Sequence, residues 1–205
     1  MKVKICGITN LEDALHAARA GADALGFNFY ERSPRYISPG DARLIIEKLP
    51  KEITKVGVFV NPTLDEIEMT AEMLDLIQLH GDESIDLVDD LRTATGVDVI
   101  KALRVTDDFD PESAKGYSVE TFLLDTHSTN FGGSGDTFDW RVAVDFKSIL
   151  PNFFLAGGLT PDNVAEAVRQ VQPYGVDVCS GVETVKGKKD HRKVEAFIRN
   201  ARAAL

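Results

Sequence analysis

Val3-Lys4-Ile5-Cys6-Gly7-Ile8-Thr9-Asn10 reads as a short strand that ends on a cysteine and a glycine and runs into a helix start. Val3 and Ile5 alternate with Lys4 and Cys6, the two-residue period of a strand. A helical pattern follows over residues 11–20. The same strand-then-helix unit recurs down the chain. Strands are expected at 2–6, 24–29, 54–60, 76–80, 97–103, 121–125, 153–156 and 176–179. Helices are expected at 11–20, 39–49, 64–74, 84–95, 140–150, 161–171 and 192–204. The fifth connection, 106–116, is short and acidic and should hold no more than a stub of helix.

The punctuation fits. Ser38-Pro39 and Thr160-Pro161 each place a capping hydroxyl before a proline at the first helical position. Gly21 and Gly96 stand where helices commonly close. No Ser/Gly-rich linker divides the chain. Eight βα units in one α/β domain over residues 1–205 point to a (β/α)8 TIM barrel. An open doubly wound sheet usually carries a Gly-rich phosphate loop after its first strand, and Cys6-Gly7-Ile8-Thr9 does not fit that pattern.

Composition narrows the partners. The formal net charge of −10 argues against nucleic acid and anionic membranes. No apolar run approaches the roughly 18 residues of a membrane span, and no signal-peptide pattern opens the chain. Two cysteines, Cys6 and Cys179, are too few for a disulfide framework. Free thiols suit a reducing compartment, so a soluble cytoplasmic protein is expected.

Strand parity then sorts the side chains. Val3, Ile5, Val176, Val178, Ile77 and Leu79 should face the helices. Lys4, Cys6, Asp177, Cys179, Gln78, His80, Leu123 and Asp125 should face the barrel interior, with Asn28 and Lys101 joining them. Chemistry in this fold sits at the C-terminal ends of the strands, which favours Cys6, His80 and Asp125. A lysine two residues before Cys6 would lower its thiol pKa from about 8.5. Asp125 lies three strands round the ring, so a base and an acid could reach different atoms of one substrate. His80 and Asp177 are read as substrate-binding. Gly157-Gly158 and Ser180-Gly181 follow strands seven and eight, where this fold often holds a phosphate. Arg35 could grip a carboxylate with two prongs. Gly132-Gly133-Ser134-Gly135 could form a lid. His16, His127 and His191 have no metal-ligand spacing, so neither metal nor other cofactor is expected.

Several segments also resemble phosphoribosylanthranilate isomerases of tryptophan biosynthesis. They are Lys4-Ile5-Cys6-Gly7-Ile8-Thr9, Gly26-Phe27 with Ser33-Pro34-Arg35, Val56-Gly57-Val58-Phe59-Val60-Asn61, Gln78-Leu79-His80-Gly81, Leu124-Asp125-Thr126, Gly132-Gly133-Ser134-Gly135 with Phe138-Asp139-Trp140, Ala156-Gly157-Gly158-Leu159, and Val176-Asp177-Val178 with Ser180-Gly181-Val182-Glu183. The resemblance implies a (β/α)8 barrel that performs a cofactor-free Amadori rearrangement on a sugar phosphate, as a monomer or homodimer. It implies Asp125 as general acid, Cys6 as general base, Arg35 on the anthranilate carboxylate, and Gly157, Gly158, Ser180 and Gly181 around the phosphate. A sister isomerase of histidine biosynthesis shares the fold but has a carboxylate where Cys6 stands. Cys6 therefore argues against that reading. A non-catalytic phosphate-binding barrel would need neither Cys6 nor Asp125.

Overall fold

The computed structural model describes residues 1–106, 108–126 and 139–204. Eight parallel strands close into a barrel in chain order. They are β1 (Lys2–Ile5), β2 (Ala24–Asn28), β3 (Thr54–Phe59), β4 (Leu76–Leu79), β5 (Asp98–Val105), β6 (Thr121–Thr126), β7 (Phe153–Leu155) and β8 (Gly175–Val178). The ring is sealed where β1 pairs with β8, Lys4 opposite Asp177 and Ile5 opposite Val178. Helices α1 (Leu11–Ala20), α2 (Pro39–Ile46), α3 (Leu64–Ala71), α4 (Ile85–Thr95), α5 (Trp140–Ile149), α6 (Val164–Val171) and α7 (His191–Arg202) surround it. The fifth connection holds a 3-10 turn, Pro111–Gly116, as its short acidic sequence suggests. No helix among the described residues is long and apolar enough to cross a membrane.

Two apolar layers follow from the two faces of each strand. The outer layer lies between sheet and helices, where Phe146 of α5 meets the Phe122 and Phe153 rings edge-on at 5.8 and 5.4 Å. The inner layer is small: Ala24, Val56, Ile100, Ala102, Leu123, Phe154 and Ala156. Above it, toward the C-terminal mouth, the interior turns polar.

Helix termini have local causes. Asn10 and Ser38 accept hydrogen bonds from the backbone N–H groups of Asp13 and Asp41. Thr63 and Glu66 form a reciprocal capping box at α3. Gly21 and Gly96 close α1 and α4 in the left-handed conformation.

Three expectations need correction. Helix α6 begins at Val164, not at residue 161. The Asn163 side chain accepts from Thr160 N–H and donates to the Gly158 carbonyl, so it braces the loop instead of capping the helix. Helices α2 and α3 stop about a turn early, at Ile46 and Ala71. Lys101 faces outward. Its neighbours Ile100 and Ala102 fill the inner layer, so alternation turns Lys101 toward the helices. A small hairpin, β9 (Glu183–Val185) and β10 (Lys188–Lys189), follows β8 and was not anticipated.

Candidate active site

The β1–β8 wall of the mouth is built on one buried ion pair. Lys4 Nζ lies 2.9 Å from Asp177 Oδ1, with Lys4 wholly buried and Asp177 nearly so. Cys6 stands one step up on the same face. Gly26 of β2 makes room for both: a Cβ there would fall 2.8 Å from Cys6 Sγ and 3.2 Å from Lys4 Nζ. Lys189, carried in by the hairpin, donates to the Cys179 carbonyl at 3.2 Å and to Glu183 at 3.0 Å. Cys6 and Cys179 therefore lie amid two buried cations.

That setting splits the two thiols. A hydrogen bond from Cys179 holds Cys6 well below the ordinary thiol range, and the charges of Lys4 and Lys189 add to it against the cost of burial. The same hydrogen bond, with burial, pushes Cys179 well above that range. One sulfur is poised as a thiolate and the other as its donor. Burial works to lower Lys4, but the negative charges of Asp177 and Cys6 outweigh it and raise Lys4 above its usual value. Burial pushes Asp177 up to about 6, against the pull of Lys4.

The opposite wall carries the carboxylate. Asp125 sits near the end of β6, with about 7% of its surface exposed. His80 follows β4 and is held by its backbone N–H on the Phe59 carbonyl at 2.8 Å. Its Nε2 lies 3.1 Å from Asp125 Oδ2, off the line of an ideal hydrogen bond. The Gln78 amide nitrogen lies 3.3 Å from His80 Nδ1. His80 Nε2 faces Asp125. Cys6 and Asp125 thus rise from opposed walls of one mouth.

Glycine loops frame the end of β7 and β8. Gly157 and Gly158 have φ of 81° and 62°, which turns the backbone sharply. Ser180 and Gly181 open a 3-10 turn. A Cβ on Gly181 would run into the Leu159 carbonyl oxygen, so the two loops touch and form one cradle. All four residues are partly exposed.

Arg35 enters the mouth from the loop after β2 and is about 7% exposed. Its Nε and Nη2 grip Glu183 at 3.2 and 2.7 Å. Burial works to raise Glu183, but the Arg35 hydrogen bonds and Lys189 prevail and lower it. One edge of the guanidinium is thus committed to Glu183.

Sequence reasoning missed Glu183 and Lys189 as the partners that hold Arg35 and Cys179. It also missed Arg104, whose register position is opposite Asp125 and whose guanidinium reaches Asp82. Parity could have found Arg104, because it shares a face with Ala102. Gly132–Gly135 and His127 lie outside the described residues. Among the described residues no group of three or more His, Cys, Asp or Glu could hold a metal ion.

Comparison with known proteins places this geometry. The N-(5'-phosphoribosyl)anthranilate isomerase family profile matches residues 3–200. An enzyme of that name from Geotalea uraniireducens is 52% identical over 204 residues, 98% of each chain. A crystal structure of phosphoribosyl anthranilate isomerase from Thermotoga maritima superposes with a TM-score of 0.91 at 46% identity, over 99% of each chain. A structure of phosphoribosyl anthranilate isomerase in complex with reduced 1-(o-carboxyphenylamino)-1-deoxyribulose 5-phosphate superposes with a TM-score of 0.87 at 44% identity, over 99% of each chain. The chain belongs to the N-(5'-phosphoribosyl)anthranilate isomerase family, aldose–ketose isomerases of tryptophan biosynthesis.

Proposed function

We propose that this barrel converts N-(5'-phosphoribosyl)anthranilate to 1-(2-carboxyphenylamino)-1-deoxyribulose 5-phosphate, with Asp125 as general acid and Cys6 as general base. Asp125 protonates the furanose ring oxygen and the ring opens to a Schiff base between C1 and the anthranilate nitrogen. The Cys6 thiolate removes the C2 proton and gives an enolamine. Tautomerisation delivers the ketone at C2. C2 is oxidised as C1 is reduced within one molecule, so the step needs no outside oxidant or reductant, and no metal enters the scheme.

The carrying observation is the placement of Cys6 and Asp125 on opposed walls of one mouth, each with a neighbour suited to its task. Lys4, Lys189 and Cys179 favour the thiolate. His80 Nε2 faces Asp125 and can orient the carboxyl or the substrate beside it. The Nη1 edge of Arg35 is suited to the anthranilate carboxylate. Gly157, Gly158, Ser180 and Gly181 are suited to the phosphate. Asp177 contributes chiefly by fixing Lys4, with its second oxygen left to the substrate side. All these residues come from one chain, so the chemistry needs no second subunit, whether the protein is a monomer or a homodimer. Two free thiols fit a cytoplasmic setting.

Freshly made substrate, with loss of its fluorescence as readout and a chelator present, tests the reading. The native chain should turn over. Cys6→Ser and Asp125→Asn should each lower kcat by about 10²–10⁴-fold while the circular dichroism melt is retained. Near-native kcat in either variant removes that residue from the scheme.

A further inference from the structure

Cys179 is the thiol that moves no substrate proton in the proposed reaction, and its position is specific. The β1–β8 pairing runs to Ile5 opposite Val178, and Cys6 N–H continues it by donating to the Val178 carbonyl at 2.9 Å. The next position sets Cys6 opposite Cys179. Adjacent strands lie about 4.8 Å apart. That spacing falls within the Cα separation of roughly 4.4–6.8 Å that a disulfide spans. Both side chains have inward parity, shared with Lys4 and Asp177. Cys179 Sγ leans back over the residue after Cys6: a Cβ on Gly7 would fall 2.9 Å from it. Gly7 takes a φ of 72°, which few other residues would tolerate, and its missing Cβ leaves room for that sulfur. Cys6 retains about 8% of its surface and Cys179 is partly exposed. Lys189 Nζ stands 3.8 Å from Cys179 Sγ.

We propose that Cys6 and Cys179 are a peroxide-reactive pair that closes into an intrachain disulfide across β1 and β8. The Cys6 thiolate attacks one oxygen of a hydroperoxide. The O–O bond breaks, Cys6 becomes a sulfenic acid, and the other oxygen leaves as hydroxide or alkoxide and takes up a proton. The Cys179 sulfur then attacks the Cys6 sulfur. The S–S bond forms, the S–O bond breaks, and hydroxide departs with the Cys179 proton as water. Two thiols are oxidised and one peroxide is reduced. The crosslink removes the proposed base from use, and a dithiol restores it by exchange. Closure also spares Cys6 from the irreversible sulfinic state. The crosslink does not depend on Cys6 being the base; only the loss of turnover does.

The test exposes the full chain to a few equivalents of hydrogen peroxide, then alkylates it and maps the peptides by mass. The native chain should lose both thiols together, lose the mass of two hydrogen atoms, and yield one peptide pair joining Cys6 to Cys179. Turnover should fall by about 10²-fold or more. Dithiothreitol should reverse all of it. Cys179→Ser should form no crosslink, gain two oxygen atoms on Cys6, and stay oxidised in dithiothreitol. A native chain that gains oxygen without the crosslinked peptides overturns the proposal. So does a Cys179→Ser chain that recovers as completely as the native one. A crosslinked chain with full turnover would uphold the pair and refute Cys6 as the base.

Discussion

Two buried lysines stand on opposite faces of the same sheet, and their surroundings differ. Lys101 faces the helices. Its ammonium donates to the Gly81 carbonyl at 2.9 Å, Glu83 at 2.8 Å and the Ala102 carbonyl at 3.1 Å, and lies over the Tyr117 ring. All three of its protons are committed, two to the loop after β4 and one to the strand that carries it. Glu83 is equally committed, accepting from Gly81 and Asn61 backbone N–H groups. Lys4 faces the barrel interior. It gives Asp177 one hydrogen bond and lends charge to Cys6. A saturated ion pair holds the backbone; an incompletely saturated one can bias a neighbour's proton. Side-chain direction, set by strand parity, decides which role a buried lysine takes.

That contrast can be broken by substitution. Lys101→Met strands the buried Glu83 carboxylate and should cost about 3–5 kcal/mol of stability by denaturant unfolding. It should barely change kcat per folded molecule, since Lys101 points away from the mouth. A large loss of kcat with little loss of stability would reverse the assignment. Lys4→Met also unpairs a buried carboxylate, Asp177, and so should cost stability as well, but unlike Lys101→Met it should act on the reaction too. It removes charge from Cys6, so the acid limb of the kcat/KM profile should move up by about one pH unit or more, with about a tenfold loss of rate below the limb. An unmoved limb would mean that Lys4 serves only to stabilise the barrel.

Asp177 sharpens the same point through pH. Its folded pKa is raised to about 6 from 3.8. The folded barrel thus holds that proton where the unfolded chain has released it. Its contribution to stability is complete below the unfolded value and disappears as pH rises through about 6. Lowered carboxyls such as Glu183 work in the other direction, losing their contribution as pH falls. The difference in melting temperature between the native chain and Asp177→Asn, followed from pH 4 to 7, should isolate the Asp177 component. A difference that does not vary with pH would refute it. The smallest effect is expected from Tyr117→Phe, which removes a 3.0 Å hydrogen bond to the Glu83 carbonyl. It should cost about 1 kcal/mol in denaturant unfolding, against no change expected in the pH profile.

Much of this was readable in advance because the signals are local. The alternation in Val3-Lys4-Ile5-Cys6 states which residues share a face, whatever the strand later pairs with. The same rule misplaced Lys101 because Ile100-Lys101-Ala102-Leu103 is apolar on both sides of the lysine, so alternation alone does not choose a face. Register chose it, with Gln78 opposite Ile100 and Arg104 opposite Asp125. Thr160-Pro161 looked like a helix start, but the Asn163 side chain engages the Thr160 N–H and the Gly158 carbonyl in the loop.

The order of strands, the inward faces of most of them and the cysteine and carboxylate at two strand ends were determined by the sequence alone, since a period of two and the chemistry of a turn act over a few residues. Closure of the ring decided the rest. It brought Lys4 against Asp177, 173 positions away, and Arg35 against Glu183, 148 positions away. Charges so distant meet only when the last strand pairs with the first, and the low-dielectric interior they then share is what moves their protons.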